Sequence, residues 1–273
     1  MIKPLARETL LTGGLDVGDR SVKIAILSHE GGRSTVLAKV LVRIQGRPDA
    51  RADRIAIRES WGRVLADAGL SAGDIDYVAS TGTRDRQLVR VGHYYQRSSH
   101  ALGAQLLFPD ATAALDIGSD QIRCALLSKQ PDGRRYAATR HEAGYGREML
   151  EAIARRMGVT VEEASVLPEA VALQDDLAAR ALKLLRALAV DGKTVLTGGM
   201  VLDAGLVRSP WRRLLESGSN VSLLISPEAI FAGAYGAAIL AARRFLRVSR
   251  TVVPVAADPL AQRILRINRR SLN

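Results

Sequence analysis

Asp16, Gly18, Ser21 and Lys23 lie within the stretch LDVGDRSVKIAIL, Leu15–Leu27. Asp116 and Gly118 lie within LDIGSDQIRCALL, Leu115–Leu127, which writes nearly the same sentence again. Each stretch reads as a strand, a bend at Asp-x-Gly and a second strand. In the first, apolar Leu15 and Val17 lead into the bend, and Val22, Ile24 and Ile26 alternate with Lys23, Ala25 and Leu27 after it. Such a hairpin carries a carboxylate and backbone N–H groups at its tip. Glycine there lets the chain approach a ligand closely, and successive N–H groups make a nest for an anion. Two tips facing across a cleft can grip a chain of phosphates. Asp16 and Asp116 would hold hydrated Mg²⁺ and orient an attacking water, since magnesium prefers few carboxylates and several waters. Lys23 would neutralise phosphate charge. A lone Asp-x-Gly turn is weak evidence, because most such turns are only turns; the matched pair is much stronger.

A third stretch, VLTGGMVLDAGLV, Val195–Val207, adds to these. It reads as a buried strand ending at Gly198-Gly199, followed by a helix start that Asp203 can cap. Glycine at that point lets a flat ring lie on the backbone, and a helix N-terminus favours an anion. Alone it is an ordinary glycine-rich turn; after two phosphate hairpins it reads as a nucleotide base and ribose site. No Walker A sequence is present, so a P-loop fold is not the candidate.

The elements that must position these residues follow from periodicity. A strand is expected at 35–42, and a helix at 51–68 with Ile55, Ile57, Trp61, Val64 and Leu65 near helical spacing and Gly69 at its stop. A strand at 76–80 and a short helix at 100–107 close the first half. The second half opens at Ala111 with the same grammar. Asp132-Gly133 signals a hairpin returning through 135–140. Helices follow at 146–157 and 169–188, strands at 194–197 and 221–225, and a helix at 227–246 that carries Gly233. The expected organisation is an α/β chain of two similar halves, 1–108 and 109–245, with a basic tail at 246–273.

Composition narrows the class. The 273 residues are 47% hydrophobic and 25% charged, an ordinary globular balance. The single cysteine, Cys124, excludes an intrachain disulfide and a cysteine-only metal cage within this chain. No uninterrupted apolar run reaches the ~18 residues of a membrane helix, and no secretory leader is visible, so a cytoplasmic protein is expected. The net charge is +11, and the tail's six Arg against one Asp contribute +5 of it. The tail lacks interleaved aromatics for base stacking, so nucleic acid is not the expected partner.

The order hairpin, hairpin, Gly-Gly turn resembles the actin, sugar kinase and Hsp70 superfamily. Within it, DYVASTGTRDRQLVRVGHYYQRSSHALGAQLLFPDATAALDIGSD (Asp76–Asp120), VLTGGMVLDAGLV and SPEAIFAGAYGAAIL (Ser226–Leu240) resemble the activator ATPases of 2-hydroxyacyl-CoA dehydratases and benzoyl-CoA reductases. GHYYQRSSHALGA points to the D-subunit type of ATP-dependent benzoyl-CoA reductase. The resemblance covers most of residues 14–245. It implies two ribonuclease-H-like domains with ATP and Mg²⁺ in a cleft. It also implies a homodimer, or a heterodimer with a related ATPase subunit, working with acyl-CoA reductase or dehydratase subunits. ATP hydrolysis there drives a helix movement that passes a low-potential electron to a partner. Phosphate and Mg²⁺ roles would fall on Asp16, Gly18, Ser21, Lys23, Asp116 and Gly118. Adenosine roles would fall on Gly198, Gly199 and Asp203, with Gly233 nearby. His100 matches the family's His-Ala-x-Gly stretch and is either near the domain junction or a packed helix residue.

The family also carries a [4Fe–4S] cluster between two subunits, each giving two cysteines. Here the ligands are absent: His141 or Glu142 stands where the first is expected, and the segment of the second is deleted. Cys124, inside a strand, reads as a small buried hydrophobe. Asp19 after Gly18 places negative charge beside the phosphates, with Arg20 to offset it. The leading expectation is an ATP-binding subunit without its own cluster. The alternatives are a non-catalytic regulator or scaffold of the same fold and a small-molecule kinase.

Overall fold

The computed structural model describes residues 9–18, 21–43, 50–82, 92–118, 121–127, 138–143, 146–202, 216–217 and 220–251. Their contacts divide them into two units, one from Met1–Ser99 with Gly233–Asn273 and one from His100–Ala232.

The first unit is built on a strand with helices on both faces. β1 (Leu10–Val17) pairs antiparallel with β2 (Ser21–Glu30), which pairs with β3 (Arg33–Arg43). On its other edge β1 runs parallel to β4 (Tyr77–Gly82), which carries the two-residue β5 (Gly92–His93). The sheet order is β3-β2-β1-β4-β5. Successive side chains of a strand point to opposite faces, and β1 uses glycine on each. Gly13 lies under the ring of Trp61, and Gly14 lies under the backbone of Ala234 and Ala238. Trp61 belongs to α1 (Ala50–Asp67) and the alanines to α6 (Ala232–Thr251). Ile57, Trp61, Val64 and Leu65 of α1 form one core with Leu15, Val17, Ile24 and Ile26, whereas Ile55, expected with them, is exposed. Helix α1 stops where expected: Gly69 takes φ +64°, and the Leu70 N–H donates to the Leu65 carbonyl at 2.9 Å.

The helical stretch Pro227–Ser249, most of it in α6, is long and apolar enough, by length and composition, to cross a membrane. Its apolar stretch is instead largely buried in the protein: Ala234, Tyr235, Ala237, Ala238 and Ala241 are fully enclosed. A polar pin joins it to the sheet. The Thr12 hydroxyl donates to the Ala238 carbonyl at 2.9 Å and lies 2.7 Å from His29 Nε2. A hydroxyl has one proton. Thr12 therefore accepts from His29 Nε2–H, and His29 Nδ1 accepts from the Ser34 hydroxyl at 2.8 Å.

The second unit repeats the plan. β6 (Ala113–Ile117) pairs antiparallel with β7 (Gln121–Leu126), which pairs with β8 (Ala138–Ala143), and β6 runs parallel to β9 (Gly192–Thr197). With β10 (Val221–Leu224) the order is β10-β9-β6-β7-β8. This is the first sheet's order with each strand replaced by its counterpart. α5 (Pro168–Ala187) packs on β7 and β8 and against α3 (Gly146–Met157). Leu150, Ile153 and Ala154 of α3 share a small core with Ala164 of α4 (Val161–Ala164) and Ala170 of α5. α2 (Gln96–Leu107) begins in the first unit and continues into the second. The helix expected at 227–246 opens as a 3-10 turn, Pro227–Phe231, capped by the Ser226 hydroxyl, before α6. The Asp132-Gly133 turn, and the tail beyond Thr251, lie outside the described residues.

Two stability measurements check this packing. A Cβ at Gly14 would strike backbone atoms of α6, whereas one at Gly62 in α1 meets nothing within 4 Å. Gly14→Ala is expected to cost about 2–4 kcal/mol in urea denaturation, and Gly62→Ala to add about 0.5–1 kcal/mol. Burial lowers the pKa of His29 from 6.5 to about 4, so its ring is neutral in the native state. The unfolded chain then binds the extra proton below about pH 6.5. This contribution is fully present above that pH and is lost as pH falls towards about 4. The loss is on the order of 1–2 kcal/mol once the ring's partial exposure is allowed for. Denaturation midpoints at pH 7 and pH 5 should therefore converge in His29→Gln relative to the unaltered protein.

Candidate functional site

Asp16 leaves β1 one residue before its end and sits in register with Lys23 of β2. Both side chains are almost wholly buried, with Lys23 Nζ 3.5 Å from Asp16 Oδ2. A buried cation and a buried carboxylate on one face each reduce the cost of enclosing the other. Leu15 and Val17, pointing the other way, enter the α1 core, so the pleat itself turns Asp16 away from it. The Gly18 N–H donates to the Ser21 carbonyl at 3.0 Å and closes the turn. Ser21 opens β2, partly exposed, across from Arg43. A Cβ at Gly18 would meet only ordinary contacts, with Ser21 O at 3.5 Å and Lys23 Nζ at 3.8 Å. The fold itself therefore does not require glycine at this tip.

The second unit builds the same device with different parts. Asp116 sits in register with Arg123 of β7, whose Nη1 donates to Asp116 Oδ2 at 2.9 Å. Arg123 Nη2 donates to Gln121 Oε1 at 2.7 Å. Gly118 N–H donates to the Gln121 carbonyl at 2.9 Å, matching Gly18. On the parallel neighbour, Thr197 stands in register with Asp116, as Thr81 does with Asp16. His100 of α2 places Nδ1 3.1 Å from Thr197 Oγ1 and 3.3 Å from Asp116 Oδ1.

The glycine after each threonine is required by the fold. Gly82 takes φ +123° with no room for a Cβ against the backbone of Val17. Gly198 takes φ +95° with no room against Asp116 Oδ1 and the Ile117 carbonyl. Gly199 is different: it is exposed, and a Cβ there would meet nothing within 4 Å. It opens a 3-10 turn, Gly199–Leu202; the helix start expected at Asp203 lies outside the described residues.

Asp116, Gly118, Gly198 and Gly199 thus gather at one end of the second sheet. Asp16, Gly18, Ser21 and Lys23 gather at the corresponding end of the first. Gly233 is buried near the start of α6 in the first unit. Asp203, Asp19 and Arg20 lie outside the described residues. One physical expectation needs correcting. The N–H groups of Gly18 and Gly118 close their own turns, so these glycines do not offer them to an anion. Arg123, Thr197, Thr81 and Gly82 join the site without being marked by the Asp-x-Gly and Gly-Gly motifs. A signal for them is present in the repeat: Arg123 holds Lys23's place, and Ser80-Thr81-Gly82 echoes Leu196-Thr197-Gly198.

Cys124 is fully buried in β7, in register with Leu115, and burial pushes its thiol up to about 12. A thiol so held stays protonated at neutral pH and is no thiolate ligand. His141 and Glu142 fall in β8, in register with Arg123 and Ile122. Among the described residues, no three His, Cys, Asp or Glu side chains converge as a metal cage. A cluster needing two cysteines from each subunit does not fit this chain's one buried cysteine.

No protein-family model matches the chain. It is 31% identical over 274 residues to the D-subunit of benzoyl-CoA reductase from Thauera aromatica, covering 88% of this chain and 96% of that one. Among solved structures it is similar to component A of (R)-2-hydroxyglutaryl-CoA dehydratase from Acidaminococcus fermentans. The TM-score is 0.70 at 21% identity, covering 87% of this chain and 99% of the other. It is equally similar, at TM-score 0.70 and 18% identity, to the activator of 2-hydroxyisocaproyl-CoA dehydratase from Clostridium difficile, solved with bound ADPNP. That match covers 91% of this chain and all of the other. With the doubled sheet, the matched Asp-x-Gly turns and this relationship over nearly the whole sequence, the chain belongs to the activator ATPase family that includes the benzoyl-CoA reductase D-subunit and the 2-hydroxyacyl-CoA dehydratase activators, with its actin-like ATPase fold.

Proposed function

We propose that the chain is an ATP-binding and ATP-hydrolysing subunit of an acyl-CoA reductase or dehydratase system, and that it works without cluster cysteines of its own. The observation that carries this reading is the doubled carboxylate. Asp16 and Asp116 each stand one residue before the end of a central strand, each opposite a cation on the same hairpin and beside a Thr-Gly on the parallel strand. The family membership supports it, as does the ADPNP bound by the Clostridium difficile protein of the same fold.

In this reading the two turn tips hold the phosphates. Gly18 supports it, because the fold gives no packing reason for a glycine there. The open backbone at Gly199 is the place for the adenosine, with Asp203 and Gly233 completing the set. Mg²⁺ fits carboxylates of this kind, since a hard, hydrated ion takes few carboxylates and keeps several waters. When bound it would neutralise phosphate charge. Asp16 and Asp116 would orient it and the attacking water, and Lys23 would hold charge that builds on the phosphates. The electron-transfer half of the system then belongs to a related ATPase subunit or to the reductase or dehydratase it serves, in the cytoplasm. The net charge of +11 suits an acidic partner.

A second reading is favoured by one observation: the Asp116 carboxylate is ion-paired to Arg123 at 2.9 Å. A carboxylate so engaged is a weaker metal ligand, which points to a non-catalytic ATP-binding regulator. ATP binding and hydrolysis by the purified protein, with Asp16→Ala and Asp116→Ala beside it, separates the two. Turnover that falls on the order of 10²-fold or more in both variants supports the ATPase. Binding with no turnover, alone and with its partner, supports the regulator. No binding overturns both. Purified protein is expected to carry no iron, and stoichiometric iron with acid-labile sulfide would contradict the cluster-free reading.

A further inference from the structure

We infer that His100 is a positioning residue for Asp116: its Nδ1–H donates to Asp116 Oδ1 and fixes the carboxylate against Arg123. The kinetic consequence rests on the ATP-hydrolysing reading; the hydrogen bond itself does not.

What the carboxylate can accept decides the arrangement. An ionised Asp is an acceptor only. Oδ2 takes the Arg123 guanidinium at 2.9 Å, and Oδ1 faces His100 Nδ1 at 3.3 Å. A ring nitrogen carrying a lone pair at that distance from a carboxylate oxygen would be repelled. Nδ1 must therefore carry a proton, shared between Asp116 Oδ1 and Thr197 Oγ1 at 3.1 Å. The competing arrangement, with Thr197 donating to a bare Nδ1, satisfies the threonine and turns the lone pair on the carboxylate. His100, Asp116 and Thr197 are all nearly inaccessible to water. In such surroundings the difference between the two arrangements is large.

The backbone completes the clamp. Asp116 Oδ1 fills the space where Gly198 would carry a Cβ. The carboxylate is thus bounded by a guanidinium, an imidazole and a chain segment with no side chain. It cannot rotate without giving up a charged hydrogen bond. The repeat makes the contrast plain. In the first hairpin, Lys23, a compact cation without a planar fork, lies 3.5 Å from Asp16. His100 comes from α2, outside the repeated hairpin, and adds to one half a donor that the hairpin itself does not encode.

Nitrogen-15 NMR of the imidazole rings at neutral pH tests this directly. The His100 signals are identified by their loss in His100→Asn. The expected result is Nδ1 protonated, with a change on Asp116→Asn. An unprotonated Nδ1 overturns the inference. The second readout is kinetic. His100→Asn can place an amide N–H near the position of Nδ1, whereas His100→Leu cannot. The leucine variant is expected to lose turnover about 10-fold or more while its Kd for ATP moves less than about 3-fold. The asparagine variant should keep turnover within about 3-fold. Equal loss in both variants, or none in the leucine variant, contradicts the assignment. Should the unaltered protein fail to bind ATP, the ATPase reading falls, and the NMR result alone still decides the role of His100.

Discussion

At the end of each central strand the fold leaves no room for a Cβ on the parallel neighbour. Gly82 lies against Val17 and Gly198 against Asp116 and Ile117, both with backbone angles that L side chains rarely adopt. That close approach sets the position of the carboxylates. It holds β4 to β1 and β9 to β6 up to their last residues, with Thr81 beside Asp16 and Thr197 beside Asp116. The antiparallel hairpin on the other edge then supplies a cation in register. A carboxylate with a threonine in register on one neighbouring strand and a cation in register on the other follows from three strands and one glycine, and the chain builds it twice.

The two copies are unequal. A buried ion pair returns its desolvation cost only when geometry and added hydrogen bonds are good. Arg123 meets that demand, with one nitrogen on Asp116 and another on Gln121. Lys23 stands farther from its partner. Duplicated architecture thus gives one tightly specified carboxylate and one with a looser cation.

Much of this is legible in the sequence, for physical reasons. The hairpins, α1, α3 and α5 announce themselves because their apolar residues recur at the period of the element, and Gly69 and Gly158 close α1 and α3. The repeat announces the two-unit plan. Arg123 lies outside the Asp-x-Gly motif, although its place opposite Asp116 follows from counting along the hairpin. The two-residue β5 and the 3-10 turns at Gly199 and Pro227 are too short for any periodicity to reveal. The return of α6 to the first sheet is invisible too. It depends on Gly14 leaving space for Ala234 and Ala238, a contact between residues more than two hundred positions apart. The absence of cluster cysteines needs only the sequence, whereas the inertness of Cys124 needs its burial.

A crystal structure of the chain with ADPNP and Mg²⁺ tests the central claim most directly. The account predicts phosphates contacting both the Asp16–Gly18 and the Asp116–Gly118 turns, with the adenosine on Gly198–Gly199. Nucleotide held elsewhere, or touching only one of the turns, would contradict it.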